Sequence, residues 1–278
     1  MLMSTQIDRY AHQLLDARAE GRTIPPLSSR YPLTLDEGYG IARRILDLRI
    51  ADGENPVGRK IGFASNTIRQ ATEKGRPLSD PVWSHVYDST VHDAEDNLIA
   101  FSLKGLVMPR IEPEIVFKLK SAPPLDATPE ALSTCIEWMA HGIELTSSVY
   151  PDRRLEAVDV AAAFGLHGAL LIGEPRILSE ASRLSLPLMM ASASVSLSCD
   201  GSILAAGFGS ETLNGPLHAL WLLHRLLLEQ KQFPPLSAGE IVTTGSWTYS
   251  YPVAPGQTWQ TAFSGGLQIE GLTVTFAE

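Results

Sequence analysis

Cysteine is scarce in this chain of 278 residues: Cys135 and Cys199 are the only two. Two isolated thiols make no disulfide framework, and neither sits in a metal-type C-x-x-C, so a reducing compartment is expected. Long apolar runs are lacking as well. The most apolar stretches, Val160–Gly173 and Pro216–Leu228, contain histidine and fall short of the roughly 20 residues that cross a bilayer. Met1 to Tyr10 has no basic segment followed by an apolar core, so no secretory signal is expected. Positive charge is in deficit: 22 Lys+Arg against 31 Asp+Glu give a net charge of −9, with no basic cluster of the kind that nucleic acid needs. Internal repeats, low-complexity tracts and flexible linkers are absent. A cytoplasmic protein that binds neither membrane nor nucleic acid is expected.

What is present suffices for a sizeable core, with 44% hydrophobic and 19% charged residues. Residues 1–55 read as an N-terminal helical cap. A helix from Thr5 to Arg22 carries Ile7, Tyr10, Leu14 and Leu15 at helical spacing. Pro25-Pro26 breaks it. Thr34-Leu35-Asp36-Glu37 has the form of a capping box, and Tyr39, Ile41, Ile45 and Leu46 carry a second helix to Asp52-Gly53. Residues 56–278 read as one β-rich α+β body.

The most informative stretch of that body is Pro109-Arg110-Ile111-Glu112-Pro113-Glu114-Ile115-Val116-Phe117. It reads as a strand in which Glu112 and Glu114 share one face and Ile111, Ile115 and Phe117 the other. Pro113 has no N–H for a ladder and places the segment at a sheet edge, a strand start or a bulge. Two like charges between apolar flanks call for something positive: a divalent cation, or else solvent or an Arg/Lys partner. Thr128-Pro129-Glu130 predicts a helix through Cys135, Ile136, Trp138 and Met139 to Gly142. Ile143-Glu144-Leu145-Thr146 follows as a strand. Glu144 lies 144 − 112 = 32 residues beyond Glu112, the length of a strand–helix–strand return. Three carboxylates on neighbouring strands would make an oxygen-rich site for Mg²⁺ or Mn²⁺.

Lys60, between Gly58 and Gly62 in a short apolar strand, is either exposed or drawn into a cleft as an acid, a base or an anion holder. Asn66 to Gly75 reads as helix or loop. Pro77 to Tyr87 reads as irregular, with Trp83 a pocket wall or a core residue. His167, in an apolar stretch, is either a core residue or part of the site. Ser194–Cys199, Asp200-Gly201 and Ser202–Ala206 predict a hairpin, and Asn214-Gly215-Pro216 opens an apolar helix.

Taken in order, these motifs resemble the 2-keto-4-pentenoate hydratase/4-oxalocrotonate decarboxylase group of the fumarylacetoacetate hydrolase superfamily. They are Gly58-Arg59-Lys60-Ile61-Gly62, Pro109 to Ile115, Gly142-Ile143-Glu144, Gly215-Pro216-Leu217 leading into Trp221-Leu222, Gly239 to Ser246, and the closing Gly266 to Phe276. The resemblance implies a mixed β-roll with short helices, assembled as a homo-oligomer. It implies that Glu112, Glu114 and Glu144 hold Mg²⁺ or Mn²⁺ and that Lys60 stands near the substrate, where it is expected to serve catalysis. His167, beside places where the group carries polar residues, is expected either to substitute for them in catalysis or to pack. Trp83 and Ser246 are expected to face the substrate, a short 2-oxo or 2-hydroxydienoic acid. The implied reaction is hydration of a 2-hydroxy-2,4-dienoate in aromatic catabolism. Decarboxylation of a 2-oxo-dienedioate, C–C hydrolysis of an acylpyruvate and a non-catalytic oligomeric role are the alternatives. The chain departs from the group at Val82, Ala163, Phe164 and Leu166, where many hydratases carry polar residues, although Asp159 matches an acidic position. Those departures bear on how water is held.

Overall fold

The computed structural model describes residues 2–62, 81–151 and 155–277. Phe63, Asn66 to Gly75 and the start of the Pro77 to Tyr87 stretch lie outside these residues. Among those described, helices α1 (Ser4–Ala19) and α2 (Leu35–Ala51) precede fourteen strands. These are β1 (Pro56–Gly62), β2 (Val82–Tyr87), β3 (Val91–Asp93), β4 (Leu98–Ser102), β5 (Arg110–Leu119), β6 (Ile136–Thr146) and β7 (His167–Ile172). There follow β8 (Arg176–Ile177), β9 (Ser194–Cys199), β10 (Ser202–Phe208), β11 (Ile241–Thr243), β12 (Tyr251–Pro252), β13 (Thr258–Ser264) and β14 (Thr273–Ala277). Longer helices at Glu180–Ser192 and Pro216–Glu229 lie between them. The fold is mixed α+β with two curled sheets.

The larger sheet runs β2-β1-β11-β5-β6-β7-β3, and the smaller runs β10-β9-β13-β14-β4. The end strands of the larger path, β2 and β3, are joined by one short turn, Asp88–Thr90. That connection forces the sheet to curl back toward itself. Its outer face packs against helix Pro216–Glu229 through Ile61, Ile115, Phe117 and Val242, and against the second sheet through Ile111, Ile143 and Leu171. Its inner face holds a separate apolar plug of Val86, Val116, Ala140, Leu170, Ile172 and Ile241. Strand β1 approaches β11 so closely that a Cβ on Gly58 would stand 2.0 Å from the Ile241 carbonyl oxygen. Only glycine fits there.

Several local readings hold. The Thr34 side chain accepts from the Glu37 N–H and caps α2, and α1 and α2 pack with Val149, Tyr150 and Phe164 in one buried cluster. The β9–β10 hairpin turns on Asp200 and Gly201, both with positive φ, as a two-residue turn requires.

Three local readings are corrected. Val82–Tyr87 is strand β2, antiparallel to β1, not irregular chain. The helix begun at Pro129 stops after one turn at Leu132, and Ile136 to Gly142 belong to β6 instead. Nearly all of β6 beyond Glu137 is buried on both faces, so its sequence lacks the alternation that marks a half-exposed strand. Glu144 is therefore reached by a strand pair, not a strand–helix–strand return. Strand β5 is interior, flanked by β6 and by β11 and β12. Pro113 is tolerated because its backbone polar edge faces the gap between β11 and β12, where its carbonyl accepts from the Trp247 N–H at 3.0 Å.

Candidate metal centre

Strands β5 and β6 pair with Glu112 directly opposite Glu144 and Glu114 opposite Gly142. The period of two then puts all three carboxylates on the inner face, above the apolar plug. One oxygen from each lies within 4.8 Å of the others. Like charges directly opposite across a ladder are destabilising unless compensated. Metal–oxygen bonds of about 2.1–2.5 Å allow ligand oxygens at most about 4–5 Å apart, so one divalent cation fits this spacing.

The donors are unevenly shared. Lys60 on β1 reaches Glu144 Oε2 from its Nζ at 2.7 Å, with both groups buried. His167, first residue of β7, sets Nδ1 at 2.8 Å from Glu144 Oε1 and Nε2 at 2.9 Å from Thr90 Oγ1. Glu114 accepts at Oε2 from the Thr243 hydroxyl and from the Gly245 N–H at 2.8 Å. Its Oε1 is buried and has no partner among the described residues. An orphaned carboxylate oxygen beside two other carboxylates is what a site for a hard cation presents. Glu112 is half-buried, at the more open end.

Burial, then repulsion from Glu144, pushes the Glu114 carboxyl well above its ordinary value. Burial raises Glu144 too, but Lys60 and His167 outweigh it and hold this carboxyl low. Burial lowers Lys60, yet Glu144, Glu112 and Glu114 together push it up, so it is an ammonium. A raised Glu114 has a consequence for binding. The folded protein retains a proton there at pH values where an ordinary carboxyl has lost it, and a cation must displace that proton. Mg²⁺ affinity is expected to rise with pH through the Glu114 titration, with proton release on binding. Calorimetric titration at one pH in two buffers of different ionisation enthalpy measures this; identical heats would contradict it.

Lys60, Glu112, Glu114, Glu144 and His167 are thus brought together, while Trp83 and Ser246 are not. Trp83 pairs with Ile61, so it lies on the opposite face from Lys60, stacked on Tyr39 at 5.5 Å and bonded through Nε1 to Gln230. It is a buried core residue that also lines a small pocket with Tyr39, His85 and Phe233, on the other side of the strand from the carboxylates. Ser246 follows Gly245 in the turn that serves Glu114, but its hydroxyl donates to the Thr248 carbonyl at 2.9 Å. The departures are buried in apolar clusters: Ala163 and Phe164 join the cluster around α1 and α2, and Leu166 and Val82 join the largest core. Asp159 is buried and accepts from the Ser28 N–H and hydroxyl at 2.9 and 2.6 Å. Sequence reasoning missed Thr90 altogether and gave no role to Thr243 or Gly245, although both lie in the quoted Gly239 to Ser246 motif.

No family model matches the chain. It is 28% identical over 265 residues to a 2-hydroxyhexa-2,4-dienoate hydratase of Comamonas testosteroni, covering 93% of this chain and 94% of that one. It is 27% identical over 263 residues to a 2-keto-4-pentenoate hydratase of Paraburkholderia xenovorans, with 94% and 92% covered. A solved 4-oxalocrotonate decarboxylase from Pseudomonas putida G7, complexed with magnesium and adipate, superposes with a TM-score of 0.86 over 99% of both chains at 21% identity. The chain is therefore homologous along nearly its whole length to the 2-keto-4-pentenoate hydratases and carries the fold of a 4-oxalocrotonate decarboxylase, the group that its motifs resemble.

Proposed function

We propose that the protein is a divalent-metal-dependent hydro-lyase that adds water to a 2-hydroxy-2,4-dienoate and forms a 4-hydroxy-2-oxo acid in aromatic catabolism. One observation carries the reading: Glu112, Glu114 and Glu144 converge on the inner face, and Glu114 Oε1 has no partner among the described residues. These three carboxylates would hold Mg²⁺ or Mn²⁺. Once bound, the ion supplies Lewis-acid polarisation of the oxygens of a 2-oxygenated acid.

The chain's own residues do the rest. Lys60, kept charged by its carboxylate neighbours, presents a proton at Nζ and a positive charge for an incoming carboxylate. His167 holds Glu144 from the side opposite Lys60 and so orients it. Since Val82, Ala163, Phe164 and Leu166 are packed into apolar clusters, proton movement during water addition falls to Lys60 and the Glu144–His167 pair. The free thiols Cys135 and Cys199 suit a cytosolic location. Ile203 and Phe208, exposed on the edge strand β10, suit a homo-oligomer.

The test is loss of dienol absorbance when the protein meets 2-hydroxy-2,4-pentadienoate and Mg²⁺, with the 4-hydroxy-2-oxo acid as product. The reaction is expected to stop with EDTA and to resume with excess Mg²⁺. Inactivity toward a panel of 2-hydroxydienoates would sink the reading. Release of CO₂ from a 2-oxo-dienedioate would replace hydration with decarboxylation, and two fragments without CO₂ would indicate a hydrolase.

A further inference from the structure

Thr90 belongs to none of the motifs above, yet it ends the turn Asp88–Thr90 that joins the end strands of the curled sheet, and it is buried. Its Oγ1 accepts from the Tyr87 N–H at 3.3 Å, and its one proton has two acceptors within reach, the Tyr87 carbonyl at 3.0 Å and His167 Nε2 at 2.9 Å. The other ring nitrogen, Nδ1, faces Glu144 Oε1 at 2.8 Å. A carboxylate only accepts, so the nitrogen facing it must carry the proton. A neutral ring then has a bare, buried Nε2 in need of a donor, and the Thr90 hydroxyl is placed to be that donor.

The backbone of His167 is fixed separately. The turn that delivers it, Phe164-Gly165-Leu166, has three successive positive φ angles of 59°, a left-handed conformation that the non-glycine residues adopt only when their surroundings hold them. Gly165 abuts the Ser84 and Lys60 side chains. Arg18 from α1 donates to the His167 carbonyl at 2.6 Å and to the Gly168 carbonyl at 3.2 Å. With the main chain clamped by Arg18, the setting of the ring and its tautomer fall to Glu144 on one nitrogen and Thr90 on the other.

We infer that Thr90 is a positioning residue: its hydroxyl donates to His167 Nε2, fixes the Nδ1–H tautomer and thereby aims the Glu144 carboxylate at the cation site. Groups that hydrogen-bond metal-ligating side chains commonly change metal affinity 10–100-fold when removed. The inference rests on the metal reading above only for its effect on affinity; the hydrogen-bonded chain Thr90–His167–Glu144 stands on geometry alone.

The experiment records ¹H–¹⁵N spectra of the histidine side chains in the full-length, metal-free protein. His167→Gln assigns the signal, and Thr90→Ser and Thr90→Val are compared with the unaltered chain. Mg²⁺ is then titrated calorimetrically into each. The unaltered protein and Thr90→Ser are expected to show His167 as the Nδ1–H tautomer with Mg²⁺ affinities within about threefold of each other. Thr90→Val is expected to lose that tautomer signature and to bind Mg²⁺ about 10–100-fold more weakly while still unfolding cooperatively. An Nε2–H or doubly protonated His167 in the unaltered protein would overturn the inference, and so would a Thr90→Val protein with unchanged tautomer and affinity. Failure of the unaltered protein to bind Mg²⁺ would remove the metal reading, and the spectra would still decide the hydrogen-bonded chain.

Discussion

Glu114→Gln is expected to stabilise the metal-free protein and to abolish its metal-dependent turnover. The two effects have opposite signs and one cause. Glu114 is buried, its carboxyl is pushed well above the ordinary value by burial and by Glu144, and Oε1 has no donor among the described residues. A neutral amide keeps an acceptor for Thr243 and Gly245 and turns an N–H₂ toward the neighbouring carboxylates, which removes a desolvated charge. Replacing an ill-compensated buried charge with a neutral group is often worth about 1–4 kcal/mol. The same change deletes a hard anionic ligand. Loss of several kcal/mol of transition-state stabilisation by the ion lowers the rate about 10³-fold or more. Thermal unfolding in EDTA, the upward shift of that transition by Mg²⁺, and turnover of a 2-hydroxydienoate measure the three consequences. A variant that still turns over substrate at more than about a tenth of the original rate would show that Glu114 is not a ligand.

The size of the stability effect is pH-dependent in a way that separates it from a packing change. Glu114 has a raised carboxyl in the folded state. Its contribution to stability is fully present below the unfolded-state value, near 4.3, and is lost as pH rises through the folded value. The advantage of glutamine over glutamate is therefore expected to be small in acid, to grow as pH rises from the unfolded value through the folded one, and to level off beyond it. A stability gain independent of pH would point to better packing instead.

How much of this was legible in the sequence follows from how each signal is encoded. Glu112 and Glu114 sit two apart on one strand, so their shared face is fixed by the pleat alone. The motifs carried Glu144 and Lys60, because glycines at Gly58 and Gly142 mark close approaches of backbone and side chain that sequence records directly. The register between strands is not recorded in that way. Nothing in the residues before Ile136 announced that β6 would start there, because a strand buried on both faces is as continuously apolar as a core helix. The pairing of Lys60 with Thr243 on parallel β1 and β11 depends on a crossover of almost two hundred residues. Thr90 was invisible for the same reason: an isolated threonine after a turn becomes informative only when the curl of the sheet brings the turn against His167. Trp83 shows the converse, since an aromatic residue near a motif is placed by strand parity, and parity put it on the outer face.

Lys60→Met is expected to cost the metal-free protein about 3–5 kcal/mol, since it strips the cation from a carboxylate that is 0% exposed. His167 alone would then hold Glu144, and a neutral imidazole does not balance a buried charge. For a chain of this length the loss corresponds to a fall of roughly 10 °C in the unfolding midpoint. Mg²⁺ is expected to recover more stability in this variant than in the unaltered protein, because a dication takes over the role of the lost ammonium and no longer binds against it. Tighter metal binding would nonetheless accompany slower turnover, by about 10²–10⁴-fold, if the Nζ proton serves the reaction. Methionine keeps the length and apolar bulk of the lysine stem, so the loss is electrostatic rather than steric. Equal Mg²⁺ stabilisation of the two proteins would mean that Lys60 and the cation do not compete for the same carboxylates. Undiminished turnover would take Lys60 out of the chemistry and leave it as a counter-charge alone.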